Sequence, residues 1–277
     1  SQVSNFMFFA RISPIRMVQN SIKQGIVLSV KPLGENNASV CFFTQESGIL
    51  YATMYGGPKS RLKSLASPWN AGTVYLSESS QHKNYKLSDF DVKRYHLSFR
   101  ENLIKSWSAA LAAEILIKTK CAGNSPSCWT VFNGFIDGLE LCGTDGQCTL
   151  GLIRFLWRFL EILGVQPDIS CCSQCGEPFF TGKNGGDTVS YKLGGAVYNV
   201  NENSFACSAC GSGTSSLILN AESVRYLSAV SSLTPKESRL IPMSAESAGQ
   251  LKQFLFYLIE NACGSRLTCL ETGMGIL

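Results

Sequence analysis

Along the first hundred residues apolar and polar positions alternate with the two-residue period of β-strands, and near Tyr95 the period becomes helical. Ile22 to Lys31, Ala38 to Thr44, Ile49 to Tyr55, Gly72 to Glu78 and Tyr85 to Val92 each read as a short strand rich in β-branched and aromatic residues. Pro32-Leu-Gly-Glu-Asn-Asn37 and Gln45-Glu-Ser-Gly48 supply turn chemistry between the first three. Five such strands in so short a span predict a small closed barrel, and the OB-fold is the leading candidate. Residues 1–20 show no clean period and read as an extension ahead of the folded body.

The helical part begins with a long helix over Ser98 to Lys118, its turns marked by Leu103, Trp107, Ala110, Leu111 and Glu114. Gly123 to Ser127 breaks it. Trp129 to Leu141 reads as a second helix, weakened by Gly134 and Gly138. Thr149 to Leu163 is a third, with Gly164 at its C-terminal cap and Pro167 just beyond. That helix is apolar nearly all round, which predicts a place at the centre of a bundle. Gly151, Arg154, Arg158 and Glu161 are its exceptions, and they form one stripe. The two arginines must reach the bundle edge or find acids, Glu161 being the expected partner of Arg158. A shorter helix over Ala221 to Val230 and a final one over Ala245 to Ala262 complete the reading.

Between the third helix and these last two lies the sharpest chemical signal. Cys172-Ser-Gln-Cys175-Gly176 and Cys207-Ser-Ala-Cys210-Gly211 are two Cys-x-x-Cys turns, each followed by glycine. Each turn aims two thiolates at one point, and four sulfurs make the closed tetrahedral set of a structural zinc site. Two disulfides or two chance pairs are the alternatives. Cys171 competes as a ligand, but the two-residue spacing to Cys175 favours Cys172. Thr188 to Leu193 and Gly195 to Val200 look like strands of the ribbon that the ion would hold. A catalytic zinc would keep a position for water and recruit His or a carboxylate, and no His lies near.

The other eight cysteines (Cys41, Cys121, Cys128, Cys142, Cys148, Cys171, Cys263, Cys269) read mostly as small buried hydrophobes in a reducing, cytoplasmic setting. The apolar run Phe6 to Ala10 is too short for a signal peptide and is followed by Arg11, Pro14 and Arg16. No uncharged apolar segment of membrane-spanning length is present, so no membrane partner is expected. The formal net charge of +4 is uneven. Residues 21–100 hold ten Lys and Arg against five Asp and Glu, a local +5, whereas residues 101–277 hold twelve against fifteen, −3. A polyanion is therefore expected on the N-terminal third. Lys59, Arg61 and Lys63 crowd a loop hinged at Gly56-Gly57, and make the first choice for phosphate contacts, with Lys23, Lys31 and Lys83 behind them. Tyr55, Trp69 and Tyr75 are stacking candidates that equally suit the core. No phosphate-binding glycine loop occurs. Of the two histidines, His82 and His96, neither adjoins a nucleophile, and His96 reads as a cap or surface residue, so no catalytic residue is assigned.

Gly25-Ile-Val-Leu-Ser-Val-Lys-Pro-Leu-Gly-Glu35 through Phe43-Thr-Gln-Glu-Ser-Gly48, Gly56-Gly-Pro-Lys-Ser-Arg61 with Leu65-Ala-Ser-Pro68-Trp69, and Leu163-Gly164 with Pro167-Asp168 leading into the two knuckles follow one another in a fixed order. In that order the chain resembles the RecO family of recombination mediators. Gly57-Pro58, Trp69 and the ending Leu267-Thr-Cys269 depart from the family's usual residues. The resemblance implies an α+β protein with an extension at 1–20, an OB-fold DNA-binding domain at 21–93, an α-helical domain at 94–167 and 214–277, and an inserted zinc ribbon at 168–213. It implies a non-enzymatic, nucleoid-associated protein of DNA repair. Such a protein binds single- and double-stranded DNA, anneals complementary strands and, with RecR, loads RecA on DNA covered by single-strand-binding protein. Zinc would be structural. Arg154 and Arg158, beside Phe155, Trp157 and Phe159, would receive the acidic, apolar-tipped tail of the single-strand-binding protein. Two other classes compete. One is a zinc hydrolase or deaminase, for which Glu177 is the carboxylate nearest the knuckles. The other is a zinc-ribbon adaptor of transcription or translation.

Overall fold

The computed structural model describes residues 19–56, 60–78, 85–181, 190–191, 194–211, 216–273 and 275–277. β1 (Gln19–Leu33), β2 (Asn37–Thr44) and β3 (Gly48–Met54) run as an antiparallel meander. A short helix, α1 (Arg61–Leu65), leads to β4 (Ala71–Glu78) and β5 (Tyr85–Arg94). β4 pairs with both β1 and β5, and Ala52 and Thr53 of β3 meet Tyr85 and Lys86 of β5 in parallel. The sheet thus closes into a barrel in the order β1-β2-β3-β5-β4. Gln19 and Asn20 pair with Glu78 and Ser77, so the first strand takes in the last two residues expected in the extension. Gly72 permits the closure, since a Cβ there would stand 2.1 Å from the Asp91 carbonyl oxygen.

Val27, Val40, Phe42, Leu50, Val74, Leu87 and Phe90 fill the barrel interior. The outer positions Ile26, Leu28, Cys41 and Phe43 are buried as well, because helices cover that side. Gly25 to Leu28 is consequently dry on both faces, which accounts for its unbroken apolar run. Phe43 meets Trp129 and Phe132 at 5.5 Å each, and Trp69 meets Phe99 at 6.1 Å.

A 3₁₀ turn, Leu97–Arg100, precedes α2 (Leu103–Lys118). The helix expected from Ser98 starts later because Asn102 caps it, its side-chain oxygen accepting from the Lys105 N–H at 2.9 Å. α2 ends in a left-handed turn, with φ of 49, 56 and 51° at Lys120, Cys121 and Ala122, that tucks Cys121 into the barrel seam. α3 (Ser125–Glu140) and α4 (Asp145–Ile162) begin earlier than their apolar patterns. Asn124 and Thr144 cap them through the N–H groups of Ser127 and Gln147, each at 3.3 Å. Gly164, at φ +71°, closes α4: its N–H reaches the Glu161 carbonyl at 2.9 Å and that of Val165 reaches Leu160 at 3.1 Å. α4 packs against α2 and α3 and buries Leu152, Ile153, Phe155, Leu156, Trp157, Phe159 and Leu160.

Beyond it lie a two-stranded sheet of β6 (Phe180–Thr181) and β7 (Ser190–Tyr191) and a three-stranded sheet of β8 (Gly195–Asn199), β9 (Ser204–Cys207) and β10 (Ser216–Asn220) in the order β10-β8-β9. Of the strand expected over 188–193, Ser190 and Tyr191 are described, and 188, 189, 192 and 193 lie outside the described residues. α5 (Ala221–Ser232), α6 (Pro235–Ser238), α7 (Ala245–Cys263) and α8 (Thr268–Thr272) follow, so α7 is not the last helix. Tyr198 and Phe205 of the three-stranded sheet pack on Phe254 of α7, at 5.1 and 5.8 Å. Among the described residues no helix is long and apolar enough to cross a membrane.

Candidate functional site

The two knuckles meet. The Sγ atoms of Cys172, Cys175, Cys207 and Cys210 lie within 4.8 Å of one another. Four sulfurs around one zinc stand about 3.8 Å apart at Zn–S distances of about 2.3 Å, so a small contraction completes a tetrahedron. Gly176, at φ +72°, donates its N–H to the Cys172 carbonyl at 2.9 Å, and Gly211 donates to that of Cys207 at 2.8 Å. Glycine is required at 211, where a Cβ would stand 2.6 Å from that of Val197. The Cys207 N–H donates to Cys172 Sγ at 3.2 Å, an outer contact that orients and charges a thiolate ligand. Burial opposes the Cys172 thiolate, but the N–H groups of Cys175, Cys207 and Gln174 bring that thiol down to about 6. Cys210 is pushed up to about 12 by hydrogen bonds with Cys207 and Cys175. Cys172 and Cys210 are thus shifted in opposite directions by neighbours at the point a divalent cation would take. Cys171 is not part of that group, and its backbone forms an antiparallel β-bridge with Pro178. The donor set is all sulfur, and this group could hold a metal ion.

The barrel's uncovered outer face carries a different arrangement. In register, Lys31 pairs with Ser39, Ser39 with Thr53, and Thr53 with Lys86, so both lysines end one cross-strand row over β1, β2, β3 and β5. Tyr51 and Tyr55 flank Thr53, 56% and 52% exposed, and the Lys86 ammonium lies 5.4 Å from the Tyr55 ring centre. Arg61 is exposed and Lys63 partly so on α1, which packs against β5. Lys23 sits apart, opposite Val74 near the far end of β1. Lys59 and Lys83 lie outside the described residues. Of the aromatic candidates Tyr55 faces solvent, Trp69 is core at 8% exposure and Tyr75 is half-buried. Sequence reasoning passed over Tyr51 and Lys86; the two-residue period of β3 puts Tyr51 on the face of Tyr55, but Lys86 joins them only through the parallel pairing.

Arg154 and Arg158 line a third feature, a cavity of about 290 Å³ between α3 and α4. Among the described residues no close ion pair joins either arginine to a carboxylate, and Glu161 acts on Arg158 only through its charge. Arg154 Nη1 donates to the Tyr226 hydroxyl at 2.7 Å. Arg158 Nη2 donates to Ser238 Oγ at 3.1 Å and to the Leu233 and Val230 carbonyls at 3.3 and 3.5 Å, closing the end of α5. Trp157 and Phe159 are fully buried on other faces of α4 and offer no slot. The apolar wall is instead Phe135, Leu139, Leu141, Leu150 and Phe155, and a third cation, Arg239, overhangs it. Gly134 and Gly138, one turn apart on α3, and Gly151 on α4 all line the cavity and put no side chain into it. The first two are the glycines read in the sequence as helix weakeners.

His96, expected as a cap or surface residue, stands at the N-cap position of the 3₁₀ turn without a side-chain capping bond and is buried between the barrel and α3.

Two family descriptions match the chain: "Recombination protein O N terminal" over residues 17–95 and "Recombination protein O C terminal" over residues 100–271. Among curated proteins, the DNA repair protein RecO of Bacillus pumilus (strain SAFR-032) is 26% identical over 190 residues, 68% of this chain and 67% of the relative. The DNA repair protein RecO of Bacillus subtilis (strain 168) is 23% identical over 191 residues, again 68% of this chain and 67% of the relative.

Proposed function

Because the chain belongs to the RecO family of DNA repair and recombination proteins, we propose that it is a recombination mediator that binds single- and double-stranded DNA and anneals complementary strands. With RecR it helps load RecA on DNA covered by single-strand-binding protein, in the cytoplasm at the nucleoid, without making or breaking covalent bonds. The observation that carries the DNA reading is the register of the barrel, which lines Lys31 and Lys86 with Tyr51 and Tyr55 on one exposed face. Lysines there meet phosphates, and the rings give sequence-tolerant stacking worth about 1–3 kcal/mol per base. Arg61 and Lys63 on α1 add positive charge, and by sequence Lys59 belongs with them as a phosphate contact, with Lys23 and Lys83 as lesser contributors.

Two further parts complete the reading. Zinc on Cys172, Cys175, Cys207 and Cys210 holds the ribbon in shape. The cavity of Arg154, Arg158 and Arg239 suits a peptide with carboxylates and an apolar tip, which fits the tail of single-strand-binding protein.

The deciding experiment measures pairing of complementary oligonucleotides without nucleotide, and DNA affinity against salt. Changing Lys59, Arg61 and Lys63 together to Ala should weaken binding to all sequences alike and flatten the log–log salt slope by about one unit for each phosphate no longer neutralised. Tyr51→Ala with Tyr55→Ala should weaken single strands more than duplex. A pure protein that binds DNA but does not speed pairing favours the adaptor reading, and an unchanged salt slope removes the loop from the DNA interface.

A further inference from the structure

Two pairs of thiols interact inside the helical layer, and they differ in access. Cys128 Sγ donates to the Cys121 carbonyl at 3.2 Å, and the two thiols are hydrogen-bonded to each other with 0% and 1% exposure. Cys142 and Cys148 are likewise hydrogen-bonded, the Cys148 thiol donating to the Cys142 sulfur. Here only Cys148 is buried; Cys142 is partly exposed and forms part of the cavity wall, beside Leu141 at 77% exposure. The intervening Gly143-Thr144-Asp145-Gly146-Gln147 carries two glycines and makes the tight turn into α4.

The surroundings distinguish the two sulfurs of this pair. Cys142 lies among the cations of Lys105, Arg154 and Arg239, and its thiol donates to the Gly138 carbonyl at 3.3 Å. The hydrogen bond from Cys148 and those three charges outweigh burial and bring Cys142 down to about 7. The same bond, with burial and Asp145, pushes Cys148 up. One sulfur is therefore a thiolate near neutrality and the other a held thiol, the division of labour of an attacking and a resolving cysteine.

We propose that Cys142 and Cys148 are a redox-active dithiol at the cavity, Cys142 in its wall attacking a hydroperoxide and Cys148, buried behind it, resolving the product to a disulfide. In the first step the Cys142 thiolate forms a bond to the terminal peroxide oxygen, the O–O bond breaks and, with hydrogen peroxide, water leaves after protonation. In the second the Cys148 sulfur attacks the sulfenic sulfur, the S–S bond forms, and the sulfenic hydroxyl leaves as water with the Cys148 proton. Two thiols are oxidised and one peroxide yields two waters. The disulfide carries no proton, so the bond from Cys142 to the Gly138 carbonyl is broken and the turn is tied to α4. This chemistry is independent of what the cavity holds.

The test uses the full chain with zinc bound, at pH 7. Against an ordinary thiol near 9, the thiolate fraction rises from about one per cent to about half, while the lower basicity costs roughly eightfold in nucleophilicity, so Cys142 should alkylate about sixfold faster than an unstructured cysteine. Cys121 and Cys128 should stay unlabelled until the protein unfolds. After one equivalent of hydrogen peroxide and quenching, peptide mapping should recover Cys142 linked to Cys148. In Cys148→Ala a dimedone-trapped sulfenic acid should appear on Cys142, and in Cys142→Ala Cys148 should remain a thiol. Recovery of Cys142 and Cys148 as free thiols after oxidant, or labelling of Cys142 as slow as that of Cys121, overturns the proposal. Circular dichroism of each variant separates these outcomes from misfolding.

Discussion

His96 Nε2 lies 2.9 Å from Asp137 Oδ1, and this contact ties the end of the barrel to α3. The other ring nitrogen lies 2.6 Å from the carbonyl oxygen of Trp69, which itself sits at φ +70° with its N–H bound to the Val27 carbonyl at 2.8 Å. Asp137 also accepts from Arg94, and Asn133 takes that arginine's second nitrogen at 2.6 Å. One carboxylate thus serves two cross-element partners. Asp137→Ala should cost about 1–3 kcal/mol by leaving a buried imidazole and Arg94 short of their acceptor. Thermal unfolding followed by tryptophan fluorescence measures it, and an unchanged midpoint would show that the seam is apolar packing alone.

Removal of the metal should act locally. Cys175→Ser or Cys210→Ser should release zinc and loosen the three-stranded sheet together with its packing on Phe254, because binding energy at such a site is folding energy. The barrel interior forms a separate cluster and should survive. Metal content with amide hydrogen exchange resolves the two regions; equal loss of protection in β2 and β8 would contradict this.

Filling the cavity need not cost stability. A Cβ at Gly134 meets nothing within 4 Å, so Gly134→Leu should raise stability by about 0.5–1 kcal/mol through helix propensity while occluding the space. Arg239→Ala should remove a cation without disturbing α5, unlike Arg158→Ala, which should also destabilise because Arg158 holds the α5 carbonyls. Titration with a labelled acidic peptide ending in apolar residues should show at least tenfold weaker binding to both Gly134→Leu and Arg239→Ala. Affinities equal to the parent chain's would put the peptide elsewhere.

Acid should release the C-terminal helix. Burial pushes Glu114 up, but the N–H groups of Cys269 and Thr268, at 2.9 and 2.8 Å, together with Lys118 hold its carboxyl below the usual range. A depressed folded value means that the stabilisation is complete above the unfolded value of about 4.3 and is lost as pH falls through the folded one. Protection of the α8 amides, taken relative to their intrinsic exchange rate, should therefore fall below about pH 4, and Glu114→Ala should show that low protection at neutral pH. Protection in the parent protein that does not change with pH would place the anchor elsewhere, in Leu267 and its apolar neighbours.

The features legible in the chain alone are local ones. The two-residue period of the strands, the Cys-x-x-Cys-Gly turns and the Gly164 cap act within one turn or one hairpin, and such elements fold as their own residues dictate. α3 and α4 start ahead of their apolar patterns because Asn124 and Thr144 cap them through side chains that carry no apolar signal. The remaining features depend on which faces meet. Lys31 and Lys86 share a row only once the barrel closes through β3 and β5, and the cavity needs Gly134 and Gly138 of α3 beside Gly151 and Arg154 of α4, with Arg239 arriving from beyond α6. His96 reads as a cap or surface residue until Asp137 and the Trp69 carbonyl close over it. Burial is a property of the assembled layers, and a polar side chain in a sequence gives no sign of the distant acceptor that makes burying it affordable.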